Sequence, residues 1–113
     1  MVLRVLQVIA ALGTAATGLA ALLRPQSIGG FTGLTAEGAR GVTEIRAALG
    51  GFYLALGLLP FLLKENAAYQ MLGYTYLIVA VVRAISMFVD KSVDPSNLIS
   101  LAVEIVFGIV LIL

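Results

Sequence analysis

Four apolar runs, separated by short polar breaks, account for nearly the whole chain. Val5 to Leu23 holds no charge over 19 residues, which as helix reaches about 29 Å, close to the thickness of a hydrocarbon core. Arg24-Pro25 closes that run, because proline cannot continue a helix. The pattern predicts helices over about 2–23, 41–63, 67–89 and 95–113. Lys64-Glu65-Asn66 is too short a turn for anything but an antiparallel neighbour. In the turn Asp90–Pro95, Asp94 reads as an N-cap with Pro95 at the first helical position. The expected fold is therefore all-α: a single domain, 1–113, forming an integral membrane four-helix bundle that runs up-down-up-down.

Residues 25–40 interrupt the pattern with Gly29, Gly30, Gly33 and Gly38. No Gly-Lys-Ser/Thr follows and no strand precedes, so this is not a phosphate loop. Ile28, Phe31 and Leu34 recur every three residues, predicting a short helical turn along the membrane interface. Thr35 is a candidate cap for an earlier start of the second helix, with Glu37 favoured in its first turn.

Small residues mark the faces on which these helices meet. Gln7, Ala11, Thr14, Gly18 and Ala21 fall on one side of the first helix. Gly50, Tyr53 and Gly57 share a face with Arg46 on the second, while Ala47, Gly51 and Ala55 continue the face of Glu44. Small-residue faces let membrane helices approach closely, so Gly18, Gly50, Gly51 and Gly57 are the expected packing positions and the second helix is expected to be central.

Composition fixes the solvent. The chain is 61% hydrophobic with a mean hydropathy of +1.09, more apolar surface than a soluble domain of this size can hide. Its surroundings are expected to be lipid. Residues 10–21 superficially fit a signal peptide, but their run is longer than a signal core and reads as a retained span. A net charge of +1 offers no face to nucleic acid. There is no His and no Cys, which removes the usual ligands of metals and haem and the common nucleophile–base pairs. The expectation is no metal, no cofactor and no enzymatic activity.

Four charges sit inside the apolar runs: Glu44, Arg46, Arg83 and Glu104. Counted from the end that carries the 25–40 and 90–95 connections, they lie about 5, 8, 10 and 14 Å along their helices. Each unpaired intramembrane charge costs on the order of 2.5–3.5 kcal/mol. Glu44 and Arg46, two residues apart, point to different faces, so depth pairs Glu44 with Arg83 and Arg46 with Glu104; the opposite pairing stays open. Tyr76, Ser86, Asn97 and Ser100 are placed to take up remaining hydrogen bonds. Such a layer is either a clasp that fixes helix register or a polar site for a ligand or proton. The proton version is the weaker one, because arginine does not release its proton.

The segment T-E-I-R-A-x-x-G-G, Thr43 to Gly51, resembles a family of short bacterial four-helix membrane proteins known as a domain of unknown function, itself similar to the DoxX-like proteins. Glu44, Arg46, Gly50, Gly51, Arg83 and Glu104 match its pattern, and the resemblance covers nearly the whole chain. It implies the fold and the polar layer, but no activity. Similarity to DoxX-like proteins implies an accessory role beside quinone-linked oxidoreductases. The expected function is a non-enzymatic, multi-pass protein of the bacterial inner or cell membrane, an accessory or scaffold subunit or a homo-oligomer held by an intramembrane Glu/Arg network. The alternative is a binding or transport module for a small amphipathic ligand, a quinone, lipid or organic anion, at the Arg46/Arg83 layer.

Overall fold

The structure, a computed structural model, describes residues 1–113. Its helices are α1 (Val2–Leu23), a single turn α2 (Gly29–Thr32), α3 (Gly38–Leu63), α4 (Asn66–Val89) and α5 (Pro95–Ile112). All but α2 are long and apolar enough to cross a membrane. At 22, 26, 24 and 18 residues they measure about 33, 39, 36 and 27 Å, against a hydrocarbon core of about 30 Å. Large apolar side chains stay exposed along each of them, among them Leu12, Phe52, Ile78, Phe88 and Val106. A water-soluble monomer rarely leaves such continuous apolar surface uncovered.

The ends of the helices follow from local chemistry. The Asp94 carboxylate accepts the backbone N–H of Asn97 at 3.0 Å, and Pro95 takes the first position of α5. α3 starts at Gly38 rather than Gly41, and Thr35 does not cap it: Gly38 enters at φ +66, with Glu37 as the cap residue and no side-chain cap bond. A residue without Cβ adopts that backbone at no steric cost. α4 closes with the Ser92 N–H bonded to the Met87 carbonyl at 3.0 Å across Lys91, and α3 with the Lys64 N–H bonded to the Pro60 carbonyl at 3.0 Å. Lys91 (φ 52) and Lys64 (φ 55) both stand in the left-handed region where glycine is the usual occupant. Lys64→Gly should therefore raise stability by about 1 kcal/mol, read as a higher unfolding midpoint in detergent; an unchanged midpoint would show that the turn does not feel the lysine's backbone.

Two groups of residues form compact units, 1–10 with 65–113, and 11–64. In the second, α1 and α3 meet backbone to backbone. A Cβ on Gly18 would lie 2.7 Å from the Gly50 carbonyl oxygen and 2.8 Å from the Tyr53 carbonyl carbon, and one on Gly57 would lie 2.7 Å from Ala15 Cα. A Cβ on Gly50 would meet Leu22 at 3.0 Å. The α1 positions 11, 15, 18 and 22 and the α3 positions 50 and 57 follow a heptad rhythm, which keeps one seam facing its partner. In the first group, Gly73 on α4 and Gly108 on α5 serve the same end: a Cβ on Gly73 would lie 2.9 Å from the Gly108 carbonyl. Tyr76 and Phe107 pack edge to face at 5.6 Å beside them.

α3 is not a regular helix throughout. From Ile45 to Gly51 it widens into a π-helical segment, between α-helical Gly38–Glu44 and Phe52–Leu63. Single-turn π segments are uncommon and often sit at functional positions.

Candidate functional site

Arg83 lies near the end of α4 and Glu104 midway along α5. Antiparallel packing of the two helices sets them opposite each other. Arg83 Nε donates to both Glu104 carboxylate oxygens, at 2.8 and 3.0 Å, and Nη2 donates to Oε2 at 2.8 Å. This side-on fork is the strong geometry for a guanidinium–carboxylate pair. Glu104 is 6% exposed; the Arg83 side chain keeps 29% of its surface. Its Nη1 donates to Asn97 Oδ1 at 2.8 Å, and Asn97 Nδ2 donates to the Ser92 carbonyl at 2.8 Å. The pair on α4 and α5 is thereby tied to the loop between them. A cavity of about 330 Å³ adjoins the guanidinium, lined by Val82, Ser86, Met87, Asp90, Ser92 and Asn97 among others.

Asn97 is aimed at Arg83 from the first turn of α5, which Asp94 holds in place. The Asn97 backbone N–H, and then the Ser96 hydroxyl, keep the Asp94 carboxyl below the ordinary aspartate range. A depressed folded-state pKa stabilises the fold above the unfolded value and loses that contribution as pH falls through the folded one. The start of α5 should thus loosen only below about pH 4, with Asp94→Ala loosening it at neutral pH and removing that acid step. Hydrogen exchange at Asn97 and Leu98 measured against pH checks this; identical profiles for the two proteins would refute it.

The other two charges of the apolar runs are employed elsewhere, and the expected cross-pairing is corrected. Glu44 is bonded to Arg40 one turn earlier on α3, at 2.5 Å, with both side chains exposed. The i,i+4 spacing makes that pair local, at little entropic cost. Arg46 Nε donates to the Leu22 carbonyl at 3.1 Å. Leu22 sits in the last turn of α1, whose carbonyls have no intrahelical donor and carry the negative end of the helix dipole. Arg46 is thus a helix cap contributed by a second helix, and Glu104 takes its guanidinium from Arg83.

The remaining expected residues divide. Asn97 joins the clasp. Ser86 lines the cavity. Tyr76 packs on Phe107, while the Ser100 hydroxyl, one turn before Glu104, makes no hydrogen bond within the protein. Gly18, Gly50 and Gly57 form the α1–α3 seam. Gly51 does not: it is exposed, and a Cβ there would meet nothing nearer than the Arg46 carbonyl at 3.9 Å. Ala47, Gly51 and Ala55 all face outward, so the Glu44 face of α3 is open rather than covered. Sequence reasoning missed Arg40, although R-x-x-x-E on a helix is its signal, and missed Gly73, which has none beyond its lying seven residues before Ala80.

A family model described as Domain of unknown function (DUF4345) matches residues 2–113. The chain belongs to the DUF4345 family. No curated protein and no solved structure matches it. This DUF4345 chain carries two charge clusters of different character. Arg83–Glu104–Asn97 is inward and connected through two helices and a loop, whereas Arg40–Glu44 is an exposed pair on one helix.

Proposed function

We propose that this chain is a small non-enzymatic membrane protein whose four long helices cross the bilayer up-down-up-down, in a bacterial inner or cell membrane, and that it works as an accessory subunit or homo-oligomer. The observation behind this is the outward face of α3. Ala47, Gly51 and Ala55 recur every four residues and stay exposed. Lipid tails gain nothing from small residues, whereas a second helix can approach them closely and gain dispersion contacts. The Arg83–Glu104 clasp then fixes the register of α4 against α5, and a resemblance to DoxX-like proteins would put the partner beside quinone-linked oxidoreductases. The absence of cysteine makes the test clean. Single substitutions Ala55→Cys and Phe88→Cys are oxidised in native membranes. Disulfide-linked dimer, or a crosslinked partner, from position 55 and not from 88 is expected. No adduct at 55, with both proteins inserted, would overturn the reading.

The cavity beside Arg83 favours a second reading, a binding module for a small amphipathic molecule. Its lining mixes the polar residues Ser86, Asp90, Ser92 and Asn97 with Val82 and Met87. Arg46 is engaged at the Leu22 carbonyl. Lipid-extract mass spectrometry on the purified protein should find a bound quinone, lipid or organic anion that Ser86→Leu expels; an empty wild-type protein would leave the accessory role alone.

A further inference from the structure

A second cavity, of about 240 Å³, lies where the beginnings of α1 and α4 meet the end of α5, within the group formed by residues 1–10 and 65–113. Its polar lining is Arg4, Gln7, Asn66, Tyr69 and Gln70, with Leu111 among its apolar walls and no acidic side chain. The Arg4 guanidinium lies over the Tyr69 ring, 4.4 Å from its centroid, and donates through Nη2 to Asn66 Oδ1. Tyr69 is buried, so the platform under the cation is fixed. Gln7 Nε2 is engaged with the Val110 carbonyl at 3.1 Å, which anchors the floor to the end of α5. The Gln70 amide makes no hydrogen bond within the protein.

We propose that this cavity is a headgroup subsite for an acidic phospholipid whose headgroup is a polyol phosphodiester. The inference rests on the membrane-spanning reading above, since helix ends are where a spanning bundle meets the headgroup layer. An oriented guanidinium matches phosphodiester oxygens in pairs. The amides of Asn66 and Gln70 match hydroxyl groups, acting as donor or acceptor. A choline or ethanolamine headgroup would bring an ammonium beside the Arg4 guanidinium and the Met1 amine, with the terminal carboxylate of Leu113 as the single anion among the lining residues. Leu3 and Leu113 are exposed among the lining residues, where acyl chains would run.

The test uses the full chain in neutral detergent with phosphatidylglycerol, phosphatidylethanolamine or glycerol 3-phosphate, retention being read by native mass spectrometry. Phosphatidylglycerol should be retained about tenfold over phosphatidylethanolamine, and Arg4→Gln should erase the preference. Gln70 is exposed, so Gln70→Leu leaves the fold intact and should cut the preference about threefold. Equal retention of both lipids by the wild type, or an unchanged preference in Gln70→Leu and a folded Arg4→Gln, would overturn the subsite. Displacement by glycerol 3-phosphate at equal concentration would make it a soluble-anion site and overturn the lipid assignment. Alkaline carbonate extraction separates the two levels. A chain washed off membranes sinks the spanning reading itself, whereas an integral chain without preference sinks only the subsite.

Discussion

Alanine at position 18 should destabilise the α1–α3 crossing by about 2–3 kcal/mol, and leucine there should abolish it. The added Cβ falls 2.7 Å from the Gly50 carbonyl oxygen and 2.8 Å from the Tyr53 carbonyl carbon, with the Leu54 amide closer still. All three are backbone atoms of a hydrogen-bonded helix, so no rotamer change relieves the clash and the helices must part. Gly57→Ala should behave alike, against the Ala11 carbonyl and the backbone of Ala15. Parting the helices forfeits the dispersion contacts that hold them together. Gly51→Ala is the matched control: its nearest neighbour would be at 3.9 Å, so only helix propensity changes and stability should hold or rise slightly. Unfolding midpoints in detergent against rising denaturing surfactant check the series. Gly18→Ala as stable as Gly51→Ala would mean that the seam is not where α1 and α3 touch.

That seam was legible in the sequence because glycines seven apart on one helix and small residues at 11, 14, 18 and 21 on another have few other uses. The long helices were legible for the same kind of reason: apolar runs of bilayer length bounded by Arg24-Pro25, Lys64-Glu65 and Asp94-Pro95 admit little else. The charge partners were not. Depth along a helix axis is counted from sequence, but the direction around the axis depends on how the helices are rotated. Glu104 and Arg83 agree in both, whereas depth alone did not give the partners of Glu44 and Arg46. For Glu44 a local competitor, Arg40, settled the outcome; for Arg46 it was a carbonyl of another helix end, which no side-chain pattern announces. The π segment from Ile45 to Gly51 also left no trace, since an extra residue per turn changes hydrogen bonding without changing residue types. The openness of the Ala47–Gly51–Ala55 face was unreadable too, because small residues suit a buried seam and an outward docking face equally.

Removing the Glu104 carboxylate should be the most damaging single change on α5. Glu104→Ala leaves the Arg83 guanidinium with Asn97 but without its counter-ion in a largely apolar setting, and breaking a buried pair by deleting one partner costs about 3–5 kcal/mol. Partial exposure of Arg83, 29% of its side chain, puts the expected loss near the lower end, about 3 kcal/mol. Replacing both partners with apolar residues of similar volume, Arg83→Met with Glu104→Leu, removes the stranded charge and should recover most of that loss, because such swaps are often close to neutral. The Arg83–Glu104 cycle should show a coupling energy above about 1 kcal/mol, whereas Glu104→Ala combined with Arg46→Ala should be additive, those two side chains holding different partners. Equilibrium unfolding of the four proteins of each cycle decides between them. Coupling between Glu104 and Arg46, with none between Glu104 and Arg83, would restore the pairing expected from depth alone. It would also detach Asn97 and the 90–94 loop from the charge they are positioned to serve.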